Sequence, residues 1–475
     1  MSLSNDWEMV IGLEVHTELK TATKMFCGCE NSFGSEPNTN VCPTCLGLPG
    51  SLPVLNVRAV ELAMAIGTAL HSTISPSTFH RKNYFYPDMP KDFQISQYDL
   101  AINVGGHLDL PDGSRISIER AHLEEDTGKS THLGGSGRIQ GAERSLVDYN
   151  RSGVPLVEIV SGPDIRSSTQ ARAYAAELRG ILIATGASDG RMEEGSMRID
   201  ANVSVRRSGD PFGTRCEIKN LNSLRSLVRA IDYEARRQVA LLEAGGSVRQ
   251  ETRHWDEVLG ETSTMRVKEE ADDYRYFREP DLVDLAPDQA WQDRVRAELP
   301  TMPAERRALL KERLTGPSAS LLDAVEVVID LGLDGYVNAA IDAGLEPGVA
   351  LARAANELAA GIDGLANLTT AAFVATVRLE QSGELSATQA KSVLGELLIK
   401  GGEPGDIARS KGFERLADST LATLVADLIE RHPDEWSRYR DGDEKLAQFF
   451  IGQVMTLTKG QANGRAVIGE LQTRR

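Results

Sequence analysis

The sequence predicts an α+β fold: a mixed-sheet domain over residues 1–293, an all-α helical domain over 294–402 and a small α-helical tail domain over 403–475. Three observations carry this. Period-2 alternation of apolar and polar residues, the mark of half-buried strands, is confined to the first part. The helical patterns within that part are too few to separate its strands regularly, which argues against a doubly wound sheet. Beyond Pro287 the composition turns to helical periodicity with almost no strand signal.

The elements follow in order. Met9, Ile11, Leu13 and Val15 alternate with Val10, Gly12, Glu14 and His16, a strand with one polar face. Helical patterns cover 57–71, 169–185 and 224–243, the last stopped by Gly245 and Gly246. Residues 155–160 read as a short strand with Glu158 among apolar neighbours. Ile199, Ala201, Val203 and Val205 alternate strictly with Arg198, Asp200, Asn202, Ser204 and Arg206, and 216–220 reads as the neighbouring strand. Helical stretches at 294–298, 304–314 and 321–331 follow, punctuated by Gly316-Pro317 and Pro347-Gly348. A second boundary falls at Gly401-Gly-Glu-Pro404.

A chain of 475 residues suggests about three domains. With 25 % charged and 41 % hydrophobic residues it has the make-up of a water-soluble globular protein. The N-terminus has neither the basic nor the apolar region of a secretory signal, and no apolar run could span a bilayer. With four of five cysteines clustered, the chain is expected in a reducing compartment, the cytoplasm, away from membranes. The net charge of −17 argues against a polyanionic partner for most of the surface. Residues 445–475 differ: five basic residues stand there against one acidic residue, Glu470.

Cys27-x-Cys29 and Cys42-x-x-Cys45 have the ligand type and spacing of a closed structural zinc site. Cys216 lies inside a strand pattern and reads as a small core residue, not a nucleophile. Glu14 and His16, two apart on a strand, leave the same face. If they met Glu158 and the acidic stretch after His122, the set would suit a hard cation such as Mg²⁺; spacing alone leaves that meeting open. Gly128-Lys-Ser-Thr131 imitates the end of a phosphate-binding loop, but Leu123 stands where its first glycine is needed. Lys82 with Tyr84 and Tyr86 combines a cation with stacking aromatics, as a nucleotide or RNA site would, or as an ordinary aromatic cluster would. Asp200, Asn202, Glu217 and Lys219 give their strand pair more hydrogen-bonding capacity than a solvated face needs.

Several longer stretches are more specific. Val10-Ile-Gly-Leu-Glu-Val-His-Thr-Glu-Leu19, Phe79-His-Arg-Lys-Asn-Tyr-Phe-Tyr-Pro87, Gln94-Ile-Ser-Gln-Tyr98, His122-Leu-Glu-Glu-Asp126, Met192-Glu-Glu-Gly-Ser196, Lys219-Asn-Leu-Asn-Ser223, Asp272-Asp-Tyr-Arg-Tyr-Phe277 and Lys459-Gly-Gln-Ala-Asn463 resemble the B subunits of the aspartyl/glutamyl-tRNA(Asn/Gln) amidotransferases. The resemblance covers essentially the whole chain. It implies a cradle domain, a helical domain and a tail. The cradle activates the side-chain carboxylate of Glu on tRNA(Gln), or Asp on tRNA(Asn), with ATP and Mg²⁺. The resemblance also implies a heterotrimer, in which an amidase subunit supplies ammonia from glutamine and a small third subunit holds the other two together.

By the same resemblance Glu14, His16, Glu125 and Glu158 are the metal-site residues. Asp200, Asn202, Glu217 and Lys219 line the same cradle; the mechanism, not the resemblance, makes Lys219 a candidate phosphate contact. Their residue types make Lys82 and Tyr84 candidates for the ATP or substrate site, and the resemblance of the tail makes Lys459, Gln461 and Asn463 candidates for the tRNA contact. Zinc is an optional clip, since some relatives lack the cysteines. Two competing readings are a non-enzymatic tRNA-binding scaffold and a free-standing ligase using bulk ammonia. No glutaminase nucleophile stands out in the sequence, so a partner must supply the ammonia.

Overall fold

The computed structural model describes residues 6–134, 141–267, 271–413, 418–458, 462 and 464–475. The chain divides into two compact units, Met1–Ala304 and Glu305–Arg475. The first is built on a thirteen-stranded sheet. Its central strand, Trp7–Glu18, pairs antiparallel with Pro155–Ser161 on one side and Met197–Arg207 on the other. Outward from Pro155–Ser161 come Arg115–Glu125, Phe93–Ser96, His80–Asn83 and Phe277–Arg278. Outward from Met197–Arg207 come Cys216–Leu221, Glu251–Asp256 and Glu261–Val267. The Cys216–Leu221 and Glu251–Asp256 strands run parallel, which makes the sheet mixed.

One face of this sheet is the core. Ile11, Leu13 and Val15 of the central strand are fully buried with Val157, Ile159, Ala201 and Val203. The helices Val57–Ala69, Ser168–Ala184 and Leu224–Glu243 supply buried residues to the same core cluster. Each begins where its sequence provides a cap. Asn56, Ser167 and Ser223 accept hydrogen bonds from backbone N–H groups of the first turn, which otherwise lack partners. The face left uncovered by these helices carries Glu14, His16, Glu158, Asp200 and Asn202.

Two bulges set the phase of that face. In Arg115–Glu125 the pairing shifts by one residue between Arg120 and Ile118. Ile116 and Ile118 enter the core before the shift, Ala121 and Leu123 after it, so Arg120, His122 and Glu124 share the polar face. In Cys216–Leu221 the pairing shifts between Ile199 and Ala201. Asn220 takes a left-handed backbone there (φ 70°) and donates its amide to the Trp255 carbonyl at 3.0 Å.

The first unit extends past the predicted boundary at residue 293. Helix Gln289–Ala297 buries Val295 against the sheet domain's core, and Trp291, Leu299 and Met302 pack on it too. The second unit is helical. One cluster gathers Leu310, Val328, Val337, Leu351, Phe373, Val377, Leu394 and Leu397, and a second gathers Leu421, Val425, Phe450, Val454, Val467 and Leu471. Ile407 and Ala408 of helix Pro404–Ser410 join the first of these clusters, so the break between them falls after the predicted 402/403 boundary. No helix among the described residues is long and apolar enough to cross a membrane.

Candidate active site

The central strand and its neighbours bring two side-chain clusters together on the polar face. His16 stands opposite Glu158, which stands opposite His122. His16 Nε2 lies 3.4 Å from Glu158 Oε2 and 3.9 Å from Glu124 Oε1, and His122 Nε2 lies 3.6 Å from the same Glu158 oxygen. Arg120 approaches Glu158 Oε1 at 4.0 Å. His16, Glu124 and Glu158 each place a ligand atom within 4.8 Å of the others.

The second cluster lies one step along the strand. Glu14 stands opposite Asp200, and Asn202 opposite Glu217. Glu14, Asp200 and Glu217 also place their ligand atoms within 4.8 Å of one another. Lys219 ion-pairs with Asp200 and lies 3.4 Å from Glu217, while Asn202 Nδ2 donates to Glu14 Oε1 at 2.8 Å. Three carboxylates facing one ammonium retain an excess of negative charge.

The resemblance placed Glu125 in the metal set; the structure does not bring it there. After the bulge, odd-numbered residues of its strand turn to the core side, and Glu125 goes with them. It is buried there, ion-paired with Lys91 and accepting from the Ile95 N–H at 2.9 Å. It lines a cavity of about 230 Å³ beside Cys27 and Cys45. Glu124 occupies the position beside His16 instead. The sequence carries both acids side by side, and only the bulge decides between them.

The electrostatics follow from crowding. Burial alone would lower the His16 ring, but its hydrogen bond to Glu158 and the charges of Glu158, Glu124 and Asp200 raise it from 6.5 to about 9. Burial drives His122 the other way, to about 4, with Arg120 and His16 adding repulsion. Burial raises Glu124, and the adjoining Glu158 carboxylate adds to this. Burial opposes the charge on Glu158 too, but the imidazoles of His122 and His16 hold its carboxyl well below the usual range. Lys219 is raised despite burial, by Asp200 and Glu217.

The two imidazoles therefore pull stability in opposite directions. A histidine held below its unfolded value costs stability as pH falls from 6.5 toward 4; one held above costs stability as pH rises from 6.5 toward 9. In the metal-free chain the pair contributes most near pH 6.5. Denaturant titrations against wild type should show the fall in stability between pH 6.5 and 9 flattened in His16→Gln, and the fall between pH 6.5 and 4 flattened in His122→Gln. Superimposable pH profiles for both variants would contradict this charge assignment.

An aromatic wall borders the first cluster. Tyr98 and Tyr276 stack with ring centroids 4.1 Å apart, and Lys82 Nζ lies 4.7 Å above the Tyr274 ring. The positive charge of Lys82 acts on Glu124 and Glu158. Tyr84 packs against Tyr86 at 4.7 Å. Sequence reasoning offered the acidic stretch after His122 without choosing Glu124 within it, and gave no role to Arg120, Tyr98 or Tyr276. The alternation could reveal Arg120, His122 and Glu124 only with the bulge known.

The four cysteines converge, their sulfurs within 4.8 Å of one another. Hydrogen bonding from the Cys27 thiol, resisted by burial, brings Cys45 down to about 5, while burial and Cys42 push Cys29 up to about 11. The cluster accommodates one thiolate readily and resists further ones, which is the charge problem a divalent cation resolves. Burial and Glu234 push the Cys216 thiol up to about 12, consistent with a core residue. The imitation phosphate loop forms part of a plain hairpin, Lys129–Leu133 with Arg144–Asp148. Lys459, Gln461 and Asn463 lie outside the described residues.

Comparison with known proteins agrees with this architecture. Residues 9–293 match the family model of the GatB/GatE catalytic domain, and residues 348–474 that of the GatB domain. A protein of Frankia casuarinae, named as the B subunit of aspartyl/glutamyl-tRNA(Asn/Gln) amidotransferase, is 50 % identical over 97 % of this chain and 94 % of its own length. Proteins of the same name from Nocardia farcinica and Anaeromyxobacter sp. are 47 % and 46 % identical, the latter over 99 % of both chains. The chain belongs to the family of aspartyl/glutamyl-tRNA(Asn/Gln) amidotransferase B subunits.

Proposed function

We propose that this chain is the carboxylate-activating member of a tRNA-dependent amidotransferase, a glutamine-dependent carbon–nitrogen ligase. It transfers the γ-phosphoryl group of ATP to the side-chain carboxylate of Glu-tRNA(Gln) or Asp-tRNA(Asn). Ammonia then displaces phosphate from the acyl phosphate and leaves the amide. The observation that carries this reading is the pair of acidic clusters on one face of the central strand, His16–Glu124–Glu158 and Glu14–Asp200–Glu217. Solvated charges of a scaffold protein would have no reason to converge in this way.

The donor set fits Mg²⁺: carboxylate oxygens with one imidazole, close enough to share an ion. When bound there, Mg²⁺ neutralises phosphate charge and orients the triphosphate. The chain's own residues do the rest. Lys219, between Asp200 and Glu217, is placed to exchange carboxylate for phosphate contact as ATP arrives. Arg120 and Lys82 bring positive charge to the edge of the first cluster, where the substrate carboxylate must approach. Tyr98 and Tyr276 give that edge a flat, stacked surface. Lys219→Met is expected to raise the KM for ATP about tenfold or more; an unchanged ATP affinity would remove Lys219 from phosphate binding.

The further parts of the reading rest on the family. An amidase partner releases ammonia from glutamine, a small third protein joins the two, and this heterotrimer works with the translation machinery in the cytoplasm. The cysteine cluster holds zinc. The residues after Phe413, with their basic end, form the tail domain that contacts tRNA. Truncation after Phe413 leaves Ile407 and Ala408 in the preceding core. It is expected to weaken tRNA binding and flatten its salt dependence in filter-binding assays, and equal affinity for the truncated complex would refute the assignment.

The direct test uses the heterotrimer assembled with the amidase and the small partner, given glutamine, ATP, Mg²⁺ and Glu-charged tRNA(Gln). Wild type should convert Glu to Gln, and Glu14→Ala should not, with glutamine hydrolysis intact in both. Undiminished conversion by Glu14→Ala would restore the scaffold reading.

A further inference from the structure

Beyond the His16 cluster an aromatic surface faces solvent. Phe85 is 63 % exposed, Phe277 47 %, Tyr98 45 % and Tyr86 40 %. Large rings gathered in the open mark a surface that something covers. Contacts link them. Tyr98 lies flat on Tyr276 at 4.1 Å, Tyr276 meets Tyr274 edge-on at 6.1 Å, and Tyr84 packs against Tyr86 at 4.7 Å. The charges of Glu124 and Glu158 act on Tyr276, which places the inner end of the surface at the first cluster.

Two further features say what the occupant is. The first is a held strain. Arg275 has a φ of 46°, a left-handed conformation that a long side chain seldom takes. Asn83 ties it down, its Nδ2 donating to the carbonyls of Tyr274 at 2.9 Å and Arg275 at 2.8 Å, and Phe277 pairs with Arg81 just beyond. Backbone strain kept up in this way points to a use for the side chains it displays. The second is the placing of cations among the rings. The Arg275 guanidinium stands 5.8 Å above Phe85, and Lys82 stands above Tyr274. A protein interface keeps charge to its rim. Cations set between open rings match the alternating phosphates and bases of a single nucleic-acid strand. On a chain of net charge −17, a polyanion needs such a local match.

We propose that this surface seats the unpaired 3′-terminal nucleotides of the aminoacyl-tRNA, with bases stacked on Phe85 and Tyr98 and a phosphate meeting Arg275. The proposal rests on the function given above and adds a route to it. The amino acid is esterified to the last ribose, so nucleotides held on the tyrosine side bring its carboxylate to the His16 cluster first. Stacking is indifferent to the identity of the base. The grip on this end is therefore the same for every tRNA, and the choice between tRNAs falls to other surfaces.

Filter binding by the intact heterotrimer tests this, with uncharged tRNA(Gln) and the same tRNA lacking its last three nucleotides. Phe85→Ala and Tyr98→Ala should each weaken binding of the full-length tRNA about tenfold and leave the shortened one unchanged. Phe85→Trp should restore it where Phe85→Leu does not. Arg275→Gln should reduce the slope of log affinity against log salt by about 0.7, for the full-length tRNA only. KM for Glu-tRNA(Gln) should rise in Phe85→Ala while KM for ATP does not move. Wild-type affinity in both alanine variants, or equal losses on both tRNAs, overturns the stacking surface and leaves the proposed reaction standing. A Phe85→Ala complex that sheds a subunit on gel filtration makes the surface a protein interface and overturns it as well. Failure of the wild-type complex to amidate Glu-tRNA(Gln) overturns both.

Discussion

Glu158→Gln is expected to reduce ATP-dependent conversion of Glu-tRNA(Gln) by about 10³-fold, the scale on which a preorganised charge at a reacting centre is lost. Glutamine hydrolysis by the amidase partner should not change. Glu158 touches more of the site than any other side chain in it, with His16 at 3.4 Å, His122 at 3.6 Å and Arg120 at 4.0 Å. Glutamine keeps the volume and removes the charge. The proposed cation site loses an anionic oxygen, and His16 loses the hydrogen bond that first offsets its burial. Glu125→Gln makes an informative contrast. It leaves Lys91 buried without its counter-charge, so a lower melting temperature is expected before any change in cation affinity. A Glu158→Gln enzyme within tenfold of wild type would remove this carboxylate from the reaction, and a Glu125→Gln enzyme with weakened Mg²⁺ binding and unchanged stability would reverse the assignment of faces.

Cys45→Ser is expected to abolish zinc retention and lower the melting temperature of the chain by about 5 °C or more. The reason lies in where the cysteine segment docks. Met25 N–H donates to the Gly153 carbonyl at 2.8 Å, Lys24 N–H to the Cys29 carbonyl at 3.0 Å, and Asn31 Nδ2 to the Leu19 carbonyl at 3.1 Å. The segment is tied to the end of the strand that carries Glu14 and His16 and to the loop preceding Glu158. Losing the clip loosens both. Metal analysis of the purified protein, followed by melting curves with and without chelator, reads this directly. A chain purified without zinc that melts unchanged after Cys45→Ser would make the four thiols ordinary packing.

Much of the architecture was legible in the sequence. The alternation from Met9 to His16 placed the central strand and its polar face, and the caps at Asn56, Ser167 and Ser223 stood where the helical patterns began. Glu14 and His16 could be set on one face from period 2 alone, and Glu158 stood out as a charge in an apolar strand. Their convergence could not, because pairing order is a property of the sheet. Glu124 was hidden for a more specific reason. Ile116 and Ile118 predict one phase for the strand, Ala121 and Leu123 the other, and a bulge at one residue reconciles them. The boundary at residue 293 coincides with the end of the matched catalytic-domain model, yet the apolar side of the helical pattern of Trp291, Val295 and Leu299 packs on the sheet domain. A hydrophobic stripe does not announce which core it will cover.

The Glu124–Glu125 doublet makes one strand a partition between two chambers. One acid looks into the cluster with His16, its neighbour into the cavity by Lys91 and Cys45. The pair itself cannot fix which is which, since sliding the strand by one residue would still present a carboxylate to the His16 side. The apolar residues Ala121 and Leu123 hold the alignment, because the same slide would turn them out of the core and onto the polar face. Point changes at Leu123 should thus disturb both chambers at once, although its side chain enters neither.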